Sequence, residues 1–401
     1  MDRLSVSYPK QMLDNLLIAM FSILPLVDSA NGYLRGKLPL GILYKLCLCG
    51  VLSLSLLHKQ KLRPRTLLIL LGSVGYVVFS VGANALLERS MDFQTDYAIK
   101  LLFNIGTGYL LLENLYNGTI SGKSLFRMLD FSSWLMCFSF LIPYFLGMGR
   151  SVYHGMGYKA FFISQNELSL ILICLFYFCL YKLSLKFTVF TAGQVGMLML
   201  CCLLLNTKST ILACLMGAGV YGLYLLAKTP LKYRLLVVAG LPLALVAFKD
   251  TIAKVVGNMT NRFTYMLGNQ FGGSLMSTLL SGRDSFVSDA WAHLTEEFFL
   301  FRFFFGNGFY LEKLVEMDLV DIFFALGLVG SIAVVIVLLL LLIKCIKNCW
   351  KDTYPIRIMS FLLILFFLNI TGHVLFMAMS GCYFVVYLCF LTHYKPETDR
   401  R

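Results

Sequence analysis

Apolar runs of about 20 residues recur along this chain between residues 12 and 392. Charged or turn-forming residues separate them, and each is long enough to cross a hydrocarbon layer about 30 Å thick. A backbone in lipid must satisfy its own hydrogen bonds, so these runs read as helices. They fall at 12–30, 38–57, 66–87, 93–113, 128–147, 166–181, 188–205, 209–227, 235–248, 319–343, 358–376 and 377–392. The fold expected is therefore all-α: a single polytopic membrane domain over residues 1–401 with about 12 transmembrane helices. Composition agrees, with 59% hydrophobic and 14% charged residues. Soluble domains hold about 45–50% and about 25%, which excludes a water-soluble enzyme. The opening MDRLSVSYPK leads into the first run without a small-residue cleavage site and is read as retained.

Basic residues gather in alternate connections. Lys59, Lys61, Arg63 and Arg65 form one group; Lys123 and Arg127, Lys182 and Lys186, and Lys344, Lys347 and Lys351 form others. The positive-inside rule places these connections, and both termini, in the cytoplasm. The net charge of +13 is accordingly a topology signal and not a nucleic-acid surface. The 12 cysteines lie in or at the ends of apolar runs, without disulfide or Cys/His metal spacing, and read as small core residues. One long hydrophilic connection, residues 249–318, is assigned by the same topology to the extracytoplasmic side, and loops of that length usually carry function. Within it a single amphipathic helix is expected from Ser285 to about Phe301, lying along the membrane surface. No internal repeat is evident, which counts against transporters built from paired halves.

Strongly polar groups in or beside a membrane are costly and mark function by default. Four groups converge on the extracytoplasmic side. They are Asn166-Glu167; Asn206-Thr207-Lys208-Ser209-Thr210; Ser281-Gly282-Arg283-Asp284; and Glu316, Asp318 and Asp321. His373 makes a fifth. Cations, carboxylates and one imidazole together suit holding a phosphorylated lipid and deprotonating a hydroxyl. Structural alternatives stand beside this reading. Asp318 and Asp321 open a helix, where acids favour the dipole, and Arg283-Asp284 fits a loop ion pair. Asp96 and Lys100 neutralise each other along one helix face, Lys45 snorkels to the outer headgroups in preference to facing the cavity, and residues 298–309 pack their phenylalanines at the interface.

The segments NTKSTIL (206–212), SGRDSFVSDAW (281–291), FFFGNGF (303–309) and EMDLVDIFFALGLVG (316–330) resemble, in this order, motifs of the O-antigen ligase and Wzy-like polysaccharide polymerase superfamily. The resemblance implies a GT-C-like membrane glycosyltransferase in the bacterial cytoplasmic membrane. Its partners would be an undecaprenyl-diphosphate-linked oligosaccharide donor and acceptor, membrane lipid, a flippase and a chain-length regulator, with no cofactor and no metal. Arg283 matches the arginine that binds the diphosphate; Lys208 stands where many members carry arginine, keeping charge without the bidentate fork. Where ligases often carry a His-Asn pair this chain has Glu316-Met317-Asp318 to Asp321, which favours a polymerase with Asp321 or Asp318 as base. Ser209, Glu316, His373 and Asn166 are expected to contact substrate. A ligase moving finished glycan, and a lipid-linked oligosaccharide flippase, are the alternatives.

Overall fold

The computed structural model describes residues 7–34, 40–57, 63–87, 94–152, 157–228, 275–310, 314–348 and 354–395, with isolated positions between 249 and 268. The run at 235–248 and much of the first half of the long connection lie outside the described residues. Every other apolar run is a helix: α1 (Ser7–Tyr33), α2 (Leu40–Leu57), α3 (Pro64–Leu87), α4 (Thr95–Tyr116), α5 (Gly122–Phe145), α6 (Gln165–Leu185), α7 (Val189–Leu205) and α8 (Lys208–Lys228). Among the described residues of the long connection from 275 onward, three short helices follow, α9 (Leu275–Leu280), α10 (Arg283–Glu296) and α11 (Phe299–Phe305). The chain then continues through α12 (Asp318–Asn348), α13 (Tyr354–Thr371) and α14 (Ala378–His393). A two-stranded ribbon, β1 (Ser151–Val152) with β2 (Gly157–Tyr158), joins α5 to α6, pairing Ser151 with Tyr158. Among the described residues six helices are long and apolar enough to cross a membrane: Gln11–Tyr33, Pro64–Leu87, Gly122–Phe145, Gln165–Leu185, Lys208–Lys228 and Asp318–Asn348. Four shorter apolar helices, α2, α7, α13 and α14, pack among them. The chain is thus an all-α membrane protein.

Local chemistry sets several helix starts. Ser121 and Ser124 exchange side-chain and backbone hydrogen bonds in a capping box at 3.1 Å each way, so α5 begins at Gly122, ahead of its apolar run. Thr188 and Ser164 cap α7 and α6 one way only, their side chains accepting the Thr191 and Glu167 N–H groups.

Polar contacts fix which helix ends lie together. At one end, Lys344 on α12 donates to Tyr116 of α4 (2.8 Å) and pairs with His393 of α14 (2.6 Å), while Asn348 reaches Thr392. Ser124 at the start of α5 donates to Asp14 of α1 (2.9 Å). Arg357 at the start of α13 reaches Tyr181 late in α6 (2.9 Å). The opposite ends therefore bring together the starts of α4, α6, α8, α12 and α14 with the ends of α7 and α13. Between these ends the centre of the bundle is α6, whose residues 168–181 are all buried.

Two expectations need correction. The amphipathic helix is two helices, because Phe298 adopts a left-handed φ of 53° between α10 and α11 and turns the chain. The phenylalanines beyond the bend then face protein as well as the periphery: Phe301 and Phe305 pack edge-on against Phe79 of α3, and Phe303 against Phe323 of α12. Lys45 does not snorkel away; it turns inward and pairs with Asp28 of α1 at 3.0 Å.

The Gly-Asn-Gly turn that follows α11 explains a bend in α12. Gly327 leaves helical geometry (φ 66°, ψ −170°), which frees the carbonyls before it. Asn307 and Gly308 donate their backbone N–H groups to Phe324 (2.8 Å) and Ala325 (2.9 Å), filling that gap. Gly306 and Gly327 touch backbone to backbone, so a Cβ on either would collide with the other strand. Ser80 and Asn84 of α3 seal the turn through the Phe305 and Gly306 carbonyls, at 2.8 and 2.9 Å.

Candidate active site

Four connections meet at the end of the bundle that holds the start of α12, and each reaches it through a residue with left-handed backbone. These are Asn206 (φ 55°) between α7 and α8, Ser281 (59°) between α9 and α10, Glu316 (68°) before α12 and His373 (57°) after α13. Such a φ costs a residue with a Cβ about 1–2 kcal/mol, and asparagine less than most. Residues held this way are over-determined by their surroundings and cluster where a site must be built to a fixed shape.

Arg283, the first residue of α10, is the hub. Its Nη1 donates to the Ile370 carbonyl at the end of α13 (2.7 Å), and its Nη2 lies 3.7 Å from Glu316 Oε2. Gly372 allows this approach, since a Cβ there would stand 3.0 Å from Nη2 and 2.9 Å from the Glu316 carbonyl oxygen, at a φ of +77°. Burial lowers the guanidinium pKa from its ordinary value, while Glu316 and Asp321 act in the opposite sense. Arg283 Nε is buried without a partner among the described residues.

Glu316 uses its second oxygen on the imidazole: Oε1 is 3.5 Å from His373 Nε2. On the other side of the ring, His373 Nδ1 lies 4.0 Å from Asp321 Oδ2. Tyr97 of α4 stacks on the imidazole with ring centroids 5.8 Å apart and planes 24° apart. Arg283, Glu316, His373 and Asp321 thus form one row, with charge alternating along it when His373 is protonated.

Asp318 and Asp321 are fully buried, and all four of their carboxylate oxygens accept backbone N–H groups. Asp321 takes Val315 (2.6 Å) and Met317 (3.0 Å), closing the loop that presents Glu316. Asp318 takes Val374 (2.9 Å) and Leu375 (2.6 Å), tying down the loop that presents His373. Asn369 accepts the Leu319 N–H at 3.2 Å, adding a third tie between α12 and α13.

Lys208 approaches from the α7–α8 turn. Its Nζ donates to the Thr278 carbonyl and to Ser281 Oγ (3.1 Å), two residues before Arg283, so both cations serve one corner. Asp284 does not pair with Arg283; it accepts from Ser277 Oγ and braces the α9–α10 turn. Ser209 is buried, its hydroxyl 3.2 Å from Thr207, which bonds Ser169 of α6 at 3.0 Å and Thr210 at 2.9 Å. Ser209 therefore supports the turn that carries Lys208. Asn166 stands half-buried at the start of α6, without a hydrogen bond to the Arg283 row among the described residues. The structure thus brings together Arg283, Glu316, Asp318, Asp321 and His373, sets Lys208 beside them, and leaves Asn166 apart.

Tyr97 and Asn104 went unnoticed in the sequence, and Asn369 stood out there only as a chance Asn-x-Thr match. Asn104 donates to the Leu375 and Met377 carbonyls at 2.8 and 2.9 Å and so holds the His373 loop from the α4 side. A lone amide inside an apolar run is the signal that could have found Asn104 and Asn369; for Tyr97 there is none.

No family model and no curated protein sequence matches the chain.

Proposed function

We propose that this protein is a membrane glycosyltransferase that polymerises lipid-linked oligosaccharide repeats. In this reading it spans the bacterial cytoplasmic membrane about 12 times, both termini are cytoplasmic, and the Arg283 end of the bundle faces outward. The observation that carries the reading is the Arg283–Glu316–His373–Asp321 row, with Lys208 at its corner. A paired cation site beside a carboxylate–imidazole pair is what glycosyl transfer from a diphosphate requires. Fixed positive charge must receive the leaving group, and a base must take the acceptor proton.

The chemistry follows from the positions. Arg283 and Lys208 bind the donor diphosphate; guanidinium and ammonium together offset charge that grows as the anomeric C–O bond breaks. The acceptor hydroxyl oxygen attacks the anomeric carbon from the opposite face, and its proton passes to Glu316, backed by His373. One C–O bond forms, one breaks, and the diphosphate lipid departs as an anion. Glu316 takes this role ahead of Asp318 and Asp321 because its side chain is 29% accessible while both aspartates are enclosed with their oxygens occupied. The aspartates act as positioning residues, one for each loop.

The test is a gel of lipid-linked glycans from cells lacking the protein, complemented with wild type, Arg283→Ala or Glu316→Gln at equal membrane levels. Wild type should restore a ladder of chain lengths and both variants only single repeats. Long chains left on the carrier lipid in the deletion strain would instead indicate a ligase. Unflipped single repeats on the inner face would indicate a transporter.

A further inference from the structure

The ribbon between α5 and α6 sets two cations against each other. Arg150, just before β1, and Lys159, just after β2, stand opposite one another, one step on from the Ser151–Tyr158 pair. Arg150 donates its backbone N–H to the Ala160 carbonyl (2.8 Å) and accepts that of Lys159 (3.0 Å). Like charges facing each other across an antiparallel pair destabilise it. Neither side chain has an acidic partner among the described residues; each donates to a carbonyl instead, Arg150 Nη2 to Gly32 at the end of α1 (2.6 Å) and Lys159 Nζ to Ile163 (2.7 Å). Burial lowers the Lys159 pKa from its ordinary value, and Arg150 lowers it further. Both residues are only half-buried and keep spare N–H donors, so an anion from outside the chain can reach them.

Packing holds these cations over an apolar groove. Tyr158 lies edge-on to Phe140 and Tyr144 of α5, 5.2 Å from each, and donates to the Met148 carbonyl (2.7 Å). Gly32 backs so closely onto the Phe161 carbonyl that no Cβ would fit, and Ile163 lies against it as well. Both cations therefore gather at the Gly32 end of α1. Beside that point a groove of about 370 Å³ opens between α1 and α5, with Leu26 and Tyr33 on one wall and Phe138 and Ile142 on the other. All four side chains are exposed. Tyr33 and Phe161, edge-on at 5.0 Å, stand at its Gly32 end. From Leu26 to Tyr33 α1 rises about 10 Å, along a helix long and apolar enough to cross a membrane.

Two facing cations at the end of such a helix, above a groove that follows it, match the two halves of an anionic lipid. A free phosphate would use the cations without the groove, and a neutral lipid would leave the like charges unbalanced. No hydrogen bond or ion pair joins Arg150 or Lys159 to the Arg283 row among the described residues, which favours a lipid of the membrane over the transferred substrate.

We propose that Arg150, Lys159 and the α1–α5 groove bind one anionic phospholipid, its phosphate on the two cations and one acyl chain between Tyr33 and Ile142. This site goes beyond the transferase reading and does not depend on it. The test uses the full-length protein, stripped of lipid in detergent and titrated with dioleoyl phosphatidylglycerol or with phosphatidylcholine of the same chains. Native mass spectrometry counts the lipids that stay bound. Wild type is expected to keep one phosphatidylglycerol at concentrations where phosphatidylcholine is shed. Arg150→Gln and Lys159→Gln should each weaken that binding about fivefold, the scale of one cation at a lipid headgroup. Ile142→Trp fills the groove from an exposed position without touching the ribbon, so it should weaken phosphatidylglycerol binding with both cations in place, and it keeps the test open if a charge variant does not fold. Equal retention of the two lipids by wild type overturns the proposal, as does unchanged phosphatidylglycerol binding in Ile142→Trp or in both charge variants. Displacement of the lipid by inorganic phosphate at equal concentration overturns it in favour of a simple anion site. Displacement by trace amounts of lipid-linked repeats isolated from cells overturns it in favour of a second substrate site.

Discussion

Asp318→Asn separates a bracing role from a chemical one. Asp318 is fully buried and accepts two backbone N–H groups, from Val374 at 2.9 Å and Leu375 at 2.6 Å, one on each oxygen. Asparagine keeps the shape but turns one acceptor into a donor. One N–H then faces an NH2 group, and the other bond loses its charge assistance. A hydrogen bond to a charged group contributes about 1.5–3 kcal/mol and an orphaned buried N–H costs about 1–3 kcal/mol. Against this, a buried amide is cheaper to desolvate than a carboxylate. The net expectation is about 2–4 kcal/mol of destabilisation, concentrated in the 372–377 loop. Thermal unfolding of the purified protein in detergent should show a clearly lower melting temperature. The glycan ladder should shorten in proportion, because His373 is no longer held against Glu316. An unchanged melting temperature with complete loss of the ladder would refute this reasoning and return Asp318 to the chemistry as a base.

Other substitutions probe the remaining ties. Arg283→Lys keeps a charge but cannot donate to Ile370 and face Glu316 from a rigid fork, so turnover should fall by about 10²–10³, read as loss of ladder at equal membrane abundance. His373→Asn should retain the melting temperature, since asparagine tolerates the left-handed φ of 57°, yet abolish polymerisation. His373→Val should in addition lower stability by about 1–3 kcal/mol. Gly327→Ala forces a Cβ into the Phe304–Gly306 backbone at a φ of +66° and should cost about 3 kcal/mol or more, visible as loss of the protein from membranes on immunoblot.

The helices were legible because membrane insertion is decided locally: an apolar run of sufficient length must form its own hydrogen bonds wherever it lies. Each apolar run within the described residues accordingly holds a helix, though the run at 358–376 gives way at Thr371 to the loop that carries His373, and the capping serines and threonines refine several starts. The sequence also nominated Arg283, Glu316, Asp318, Asp321 and His373, since charge at a membrane boundary is expensive enough to stand out. It could not apportion work among them. Which acid is exposed and which is consumed by backbone N–H groups depends on the 314–317 and 372–377 loops folding against each other, over a separation of more than 50 residues. Tyr97 beneath His373 is likewise a meeting of segments distant in sequence, and the Gly306–Gly327 contact and the Asp28–Lys45 pair, though they join neighbouring elements, are also fixed only by how those elements pack. Local hydrophobicity determined which runs form apolar helices; only the packing of helices decided which polar groups face one another, because hydrogen bonds and ion pairs act over a few ångströms that chain order does not encode.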